Sequence, residues 1–239
     1  MDILIISKAQ YNVNSSIKKP IKNMVKSYKT RKRVLYSTKW ISCTALLTAL
    51  VVAMGYIPGI PVLDGKIYWC DFAIFAAAYL LDPVGAMIVG GIGTTFFDLF
   101  GINGTAYNAI PSLIIHGLQG LTASLIFTLL KKFFNGSASN RREGVIAAIS
   151  SVLPALIVIL GYFIKRITWE SKPAAVALLK MPANVLQEII GIAAAIVICY
   201  ASGLKRALVK ARLLPDFKRE IIIEKEEDNE KTIDGEDNE

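Results

Sequence analysis

The chain has 239 residues, of which 54% are hydrophobic, and it carries a formal net charge of +8. Most of the charge lies at the two ends and in short loops, and long apolar runs fill the sequence between Trp40 and Ala201. Basic residues beside apolar runs are typical of membrane-flanking segments, so the net charge does not indicate a nucleic-acid-binding protein. A run of about 20 apolar residues is long enough to cross a bilayer as a helix, so the sequence predicts an integral membrane protein.

Six apolar segments predict six transmembrane helices in an all-α bundle. They cover roughly 38–57, 66–81, 83–100, 109–132, 144–165 and 173–202. Two prolines in "IPGIPVLDG" end the first segment, and "DP" at 82–83 separates the second from the third because the residue before proline avoids the α region. Pro182 lies inside the sixth segment, where we expect a kink.

The two ends of the chain differ in charge. Residues 1–37 contain nine Lys or Arg and one acidic residue, whereas residues 206–239 end in an acidic run. We predict that both are mostly disordered and flank a membrane domain at 38–205. The basic arm, the basic loop at 131–142 and the basic segment at 205–212 all fall on one side if there are six crossings, so the positive-inside rule predicts that both termini are cytoplasmic. The loop at 165–172, with a net charge of +2, fits this orientation least well.

Polar side chains inside a bilayer are costly and are therefore candidates for function. Here they fall in the outer half of the predicted helices or near mid-membrane, and the cytoplasmic half offers no comparable set. Their imidazole, amide, phenol and carboxyl groups suit a small, flat, polar heterocycle. The predicted substrate-binding residues are Trp69, Asp71, Tyr107, Asn108, His116, Gln119, Tyr162, Asn184, Gln187 and Glu188. For His116, Asn184 and Gln187 the alternative is a hydrogen bond that joins helices. For Asp71 it is capping of a loop near the interface, and for Glu188 it is a structural pair with Lys180 or His116. Asp98 and Lys165, near the outer helix ends, have an interfacial alternative.

Because the polar residues are confined to the outer half of the predicted helices, the sequence favours an outward-facing pocket over an ion path through the full membrane thickness. A stand-alone secondary transporter remains the alternative. The sequence contains no P-loop, no HExxH and no G-x-S-x-G, so it offers no motif for ATP binding, metalloprotease or hydrolase chemistry. No catalytic residue, cofactor or metal site is predicted, and we interpret Cys43, Cys70 and Cys199 as small apolar residues.

Small residues repeat on two helices. Ala45, Ala49 and Ala53 lie every fourth residue on one face of the first predicted helix. Such stripes commonly mark close packing of helices, and the pattern alone favours that interpretation. Gly90, Gly91 and Gly93 are interpreted in the same way.

The run "DGKIYWCDFAIFAAAYLLDPVGAMIVGGIGTTFFDLF", followed by "IIHGLQG" and "PANVLQEIIG", resembles the substrate-binding S components of energy-coupling factor (ECF) vitamin transporters. The similar members are those for riboflavin, hydroxymethylpyrimidine and pyridoxine, and the resemblance covers roughly 38–205. It implies a non-enzymatic, multi-pass protein of the bacterial plasma membrane that binds a vitamin or precursor at the outer face. The pocket is then lined by the outer halves of helices four to six and capped by the loop at 56–66.

The resemblance also implies partners. A membrane-embedded coupling protein, bound to two ABC ATPases, receives the S component, which tilts in the membrane and releases the vitamin inside. Family members contact the coupling protein through an A-x-x-x-A motif on helix one, which corresponds here to Ala45, Ala49 and Ala53. Because pocket residues vary with the vitamin, the resemblance leaves the choice among these vitamins open.

Overall fold

The computed structural model describes residues 37–62, 65–101, 105–134 and 139–210. Its elements are α1 (Thr38–Met54), β1 (Ile60–Val62), β2 (Gly65–Ile67), α2 (Cys70–Leu80), α3 (Pro83–Phe100), α4 (Ala109–Phe133), α5 (Asn140–Thr168), α6 (Ala174–Leu179), α7 (Met181–Ile196) and α8 (Leu204–Lys210). The described residues are thus almost entirely helical, as predicted. The predicted basic arm, except residue 37, and the tail beyond residue 210 lie outside this described part.

Four helical stretches are long and apolar enough to cross a membrane: Pro83–Phe100, Ala106–Phe133, Arg141–Thr168 and Ala174–Ala201. The other two predicted spans correspond to α1 and α2, which are apolar but have 17 and 11 residues. At 1.5 Å per residue, α2 is only about 17 Å long. Helix length therefore supports four of the six predicted crossings.

The short helix α2 lies at the centre of the bundle and packs against α3, α4 and α7. It is apolar on all sides, and Ile74 and Phe75 are completely buried. A helix that is hydrophobic all round is expected to be enclosed by other elements. Because protein surrounds α2, its ends can meet non-helical backbone at membrane depth without exposing polar groups to lipid.

The second helix begins at Cys70, later than predicted, because a β-hairpin precedes it. The strands pair antiparallel, with Ile60 opposite Ile67 and Pro61 opposite Lys66. Proline is tolerated on edge strands such as β1, and the β-branched isoleucines favour extended backbone. The Tyr68 backbone N–H donates to Gln187 Oε1 at 2.9 Å, which fixes the end of the hairpin to α7.

The sixth predicted helix is divided at Lys180 into α6 and α7, so Pro182 marks a turn between two helices rather than a kink in one. Proline has no backbone N–H, so inside a helix it cannot make the hydrogen bond to the carbonyl four residues back. In the first turn of a helix the backbone N–H groups have no intrahelical acceptor, so proline is tolerated there. The turn places Asn184 and Gln187 in the first turns of α7.

The glycines of α3 allow α4 to approach closely, as predicted. A Cβ at Gly90 would lie 2.2 Å from the His116 carbonyl oxygen, and one at Gly120 would lie 2.2 Å from that of Ala86. Real side chains essentially never come so near, so larger residues would push the two helices apart. This contact holds the His116 turn of α4 against α3.

Helix α1 lies at the edge of the bundle and buries Trp40, Thr44 and Val51. The indole N–H of Trp40 donates to the Asp82 carboxylate, which also accepts from the Val84 N–H and caps α3. These contacts attach one face of α1 to the rest of the bundle.

The stripe of Ala45, Ala49 and Ala53 is exposed along its whole length. At about 100° per residue, it points nearly opposite to the buried face of α1. Within the described part of the chain no helix packs on it, so the structure does not support its interpretation as an internal packing surface.

Candidate functional site

A polar cavity of about 120 Å³ lies at the end of the bundle that holds the β-hairpin. The ends of α3 and α5 and the starts of α4 and α7 meet there. The lining residues are Lys66, Tyr68, Cys70, Thr94, Phe97, Asp98, Asn108, Ser112, His116, Tyr162, Lys165, Glu170, Lys180, Asn184 and Gln187.

His116 occupies the centre of a hydrogen-bonded chain. Its Nδ1 lies 2.7 Å from Gln119 Oε1, and its Nε2 lies 2.8 Å from the Tyr162 hydroxyl. The Gln119 Nε2 faces two carboxylates, 3.1 Å from Glu188 and 3.4 Å from Asp71, so its Oε1 is the atom that accepts from His116. The imidazole therefore carries hydrogen on Nδ1, and in its neutral form Nε2 accepts from Tyr162.

Asp71, Gln119 and Glu188 lie behind the cavity wall, with 1%, 0% and 2% of their surface exposed. The Gln187 amide connects them to the cavity, since its Nε2 donates to Asp71 while its Oε1 accepts from Tyr68. Among the described residues, Glu188 Oε1 has no hydrogen-bond partner. The two buried carboxyl groups thus depend on two glutamine amides for most of their polar contacts.

Asp98 forms the wall contributed by α3. The Ser112 hydroxyl on α4 donates to its Oδ2 at 2.5 Å, and lies 3.4 Å from the Tyr162 hydroxyl. A carboxylate offers about four acceptor positions, of which Ser112 fills one. Asp98 can therefore accept a further N–H or O–H from a bound molecule.

Basic residues surround the mouth of the cavity. Lys165 Nζ lies 2.7 Å from Glu170 Oε1, and Arg166 Nε lies 3.5 Å from Glu170 Oε2. Burial by itself raises the pKa of Glu170, but the hydrogen bond and charge of Lys165, with Arg166 and Lys180, outweigh burial and hold that pKa below its usual value. Glu170 is therefore ionised at neutral pH, and neighbouring bases engage both of its oxygens.

The structure brings together half of the predicted substrate-binding residues on the cavity wall. These are Asn108, His116, Tyr162, Asn184 and Gln187, and Asp71, Gln119 and Glu188 form the layer behind them. Trp69 and Tyr107 are not part of the lining. Tyr107 is 56% exposed, and its ring packs against Trp169 with centroids 5.5 Å apart.

Sequence reasoning missed several lining residues, among them Lys66, Thr94, Phe97, Ser112, Glu170 and Lys180. Ser112 precedes His116 by one helical turn, so helical spacing could have identified it. Glu170 lies in the predicted loop at 165–172, where the unusual positive charge was the signal that could have found it, whereas Lys66 and Lys180 lie in segments predicted to be helical and carried no such signal.

A second polar cluster lies at the opposite end of the bundle. Glu143 Oε1 is 2.7 Å from Lys131 Nζ, Glu143 Oε2 is 3.0 Å from Lys205 Nζ, and Lys205 also donates to the Tyr79 carbonyl at the end of α2. All three charged residues lie in the first or last turn of a helix, beside the apolar segments, so the expectation about polar residues within the spans stays a prediction. These residues do not line the cavity, so they join α2, α4, α5 and α8 rather than extend the site.

Comparison with known proteins gives a matching family model and a similar solved structure. Residues 35–205 match the family model described as "ECF-type riboflavin transporter, S component". A solved structure titled "Crystal structure at 2.1 A of the S-component for biotin from an ECF-type ABC transporter" is similar with a TM-score of 0.47 and 21% identity, covering 66% of this chain and 89% of that chain. No curated protein sequence matches.

Proposed function

Because the chain belongs to the family of S components of ECF-type riboflavin transporters, we propose that it binds a vitamin or vitamin precursor in the polar cavity and delivers it across the membrane. Members of this family are substrate-binding components of transporters and not a class of enzymes. The observation that carries the proposal is the cavity itself, where polar groups from four helices and the hairpin converge at one end of an apolar bundle.

The proposed orientation has six crossings with both termini in the cytoplasm of a bacterial cell. The short helices α1 and α2 supply the two crossings that length alone does not support. Lys131 and Lys205 lie at the end opposite the cavity, which fits the preference of cytoplasmic segments for basic residues. The cavity then opens to the outer face, where the vitamin is captured.

Within the cavity, the proposed ligand contacts come from side chains that combine a ring with a polar group. Tyr68 and Phe97 lie edge to face with centroids 5.3 Å apart and offer an aromatic wall for a flat ring. Tyr162 and His116 supply donors and acceptors, together with Asn108, Asn184 and Gln187. Asp71, Gln119 and Glu188 act as positioning residues, while Trp69 and Tyr107 would contact only a ligand that extends beyond the cavity.

Delivery requires partners, because the sequence has no ATP-binding P-loop. We propose that Ala45, Ala49 and Ala53 form the surface that docks on the membrane-embedded coupling protein, which carries two ABC ATPases. Their exposure supports this role, since a stripe of small side chains lets another helix approach the α1 backbone closely.

The test is to purify the chain in detergent and identify the extracted ligand by mass spectrometry, then to measure uptake in liposomes with and without the coupling protein and ATPases. We expect a B-type vitamin or precursor to co-purify, and ATP-dependent uptake only with the complete set of subunits. Uptake driven by an ion gradient through the chain alone would instead identify a stand-alone secondary transporter.

Replacing Tyr162 with Phe is expected to weaken vitamin binding about tenfold, or about 1.4 kcal/mol. The ring remains, but the cavity loses a hydroxyl, and His116 Nε2 loses its partner. Titration calorimetry with the purified chain measures the change. Tyr107→Phe is the matched control, because the Tyr107 hydroxyl donates to the Trp169 carbonyl outside the cavity. A larger loss from Tyr107→Phe than from Tyr162→Phe would place the ligand elsewhere.

A further inference from the structure

The directions of the hydrogen bonds on one wall of the cavity follow from the buried carboxyl groups behind it. The Gln119 amide nitrogen faces Glu188 and Asp71. Its oxygen therefore accepts the Nδ1 hydrogen of His116, 2.7 Å away. The neutral imidazole then has a lone pair on Nε2, which lies 2.8 Å from the Tyr162 hydroxyl. Tyr162 thus donates its hydroxyl hydrogen to His116, and its oxygen retains only lone pairs for the cavity that it lines.

Ser112, on α4, has also used its hydroxyl hydrogen. Its Oγ donates to Asp98 Oδ2 at 2.5 Å and lies 3.4 Å from the Tyr162 hydroxyl oxygen. Because both hydroxyl hydrogens are directed elsewhere, no hydrogen lies between these two oxygens, and lone pairs face each other there. A donor placed against both oxygens would satisfy them.

Asp98 completes this arrangement. Its carboxylate receives the Ser112 hydrogen and faces the backbone N–H of Thr105, which leaves about two of its four acceptor positions open. Among the described residues, no Lys or Arg forms an ion pair with Asp98, and the ammonium of Lys165 is bonded to Glu170 at 2.7 Å. We call Asp98, Ser112 and Tyr162, which all line the cavity, the acceptor patch.

A purely structural role does not account for the acceptor patch. A chain of hydrogen bonds that only joined α3, α4 and α5 would run from donor to acceptor throughout, whereas this one is interrupted between Ser112 and Tyr162, on the cavity wall. Asp98 and Ser112 are only 8% and 2% exposed. Buried acceptors are expected to have partners, so the open positions of the patch call for a donor from a molecule inside the cavity.

We propose that the substrate carries an amino group on a flat ring and that this group donates its hydrogens to the acceptor patch. The inference rests on the proposed function and narrows the vitamin or precursor to one chemical class. An amino group has two hydrogens, and the patch offers more than one acceptor for them. Phe97 precedes Asp98 in α3 and forms the aromatic wall with Tyr68, so the ring and its amino group meet adjacent parts of the lining.

The surroundings favour a neutral amino group over a charged ammonium group. Lys165 Nζ lies 5.4 Å from the centre of the Tyr162 ring, and a second positive charge placed against Tyr162 would be repelled. A ring-bonded amino group donates hydrogen bonds without adding charge. An oxygen in its place brings lone pairs against lone pairs, and a site built to bond an N–H group strongly rejects an analogue that lacks it.

The experiment measures the binding of matched probes to the full chain in detergent. Two probes carry a ring-bonded amino group, the aminopyrimidine precursor hydroxymethylpyrimidine and thiamin, and each is compared with the analogue that has oxygen in place of the amino group. Pyridoxamine with pyridoxine tests a charged amine, and riboflavin tests a flat ring without an amino group. We expect a ring-amine probe to bind most tightly, and at least about tenfold more tightly than its oxygen analogue.

Asp98→Asn tests the patch directly, because it replaces an acceptor oxygen with an N–H donor group of the same size. This variant should reduce the preference for the amino group to less than about threefold. Asp82→Asn is the matched control, since Asp82 caps the other end of α3, does not line the cavity, and asparagine is an equally good N-cap. It should leave the preference unchanged.

A ring-amine probe that binds no more tightly than its oxygen analogue overturns the inference and leaves the proposed function standing. Tight binding of riboflavin, pyridoxine or pyridoxamine instead, or a co-purified vitamin without a ring-bonded amino group, does the same. A preference that survives in Asp98→Asn overturns the role of the patch. The probe comparison uses the unaltered chain, so it decides even if that variant does not fold. If none of the probes binds and no vitamin co-purifies, both the inference and the proposed function are wrong.

Discussion

Replacing Ala49 with Trp abolishes vitamin uptake by the assembled transporter and leaves vitamin binding by the isolated chain unchanged. Ala49 lies at the middle of the exposed stripe of α1, opposite the face that holds Trp40 and Val51. An indole there adds bulk to a surface on which another helix is expected to pack closely, and it touches neither the cavity nor the core. We expect uptake to fall at least about tenfold, while the dissociation constant changes less than about twofold.

The measurement is uptake in liposomes that contain the coupling protein and ATPases, with binding measured on the purified variant. Val152→Trp on α5 is the control, because Val152 is 59% exposed and lies on a helix outside the stripe. It should retain both uptake and binding. If Ala49→Trp reduces vitamin binding or prevents folding, the stripe is part of the internal structure and the docking proposal is wrong.

Replacing Gln119 with Leu is expected to lower the free energy of unfolding by about 3 kcal/mol, the upper end of the range for buried polar groups that lose a hydrogen-bond partner. The completely buried Gln119 amide donates to Glu188 and Asp71 and accepts from His116. Leucine has a similar size, so the loss is one of hydrogen bonds rather than of packing. Because His116 also loses the group that orients its ring, vitamin affinity should fall as well.

Chemical denaturation in detergent, followed by circular dichroism or fluorescence, measures the stability of this variant. Ser150→Ala is the control: Ser150 is also completely buried, but its hydroxyl bonds only to the Ala147 carbonyl of its own helix. We expect that change to cost less than about 1 kcal/mol. Equal losses from the two variants would contradict the view that Gln119 holds the buried carboxyl groups.

The exposure of the alanine stripe is a feature that could not be predicted from the sequence. Spacing placed Ala45, Ala49 and Ala53 on one face of a helix, because helical periodicity is a local property of the chain. The same spacing occurs on internal and external faces, so the choice between them depended on which other face α1 buries. The structure shows that α1 buries the face that holds Trp40, Thr44 and Val51, which leaves the alanine stripe exposed.

In the candidate site, too, the residue types could be predicted from the sequence, whereas their positions relative to the cavity could not. Polar side chains are energetically unfavourable inside a bilayer, and on that ground the sequence analysis predicted a functional role for His116, Asn184 and Gln187. These residues line the cavity. The same argument singled out Asp71 and Glu188, yet they lie behind the wall together with Gln119, and Asp71 contacts the lining residues Gln187 and His116. Depth along a helix can be counted from sequence, whereas the direction that each side chain takes depends on its neighbours.

Long apolar runs and prolines act locally, so they were enough to predict the class of protein, the apolar segments and the turn residues that end them. Local patterns do not show that lysines from three segments share one cavity, or that the bundle has a second charged cluster at its other end. Lys66, Lys165 and Lys180 are separated by 99 and 15 positions in the chain. Their common surroundings come from the packing of α5 and α7 with the hairpin, which no local pattern encodes.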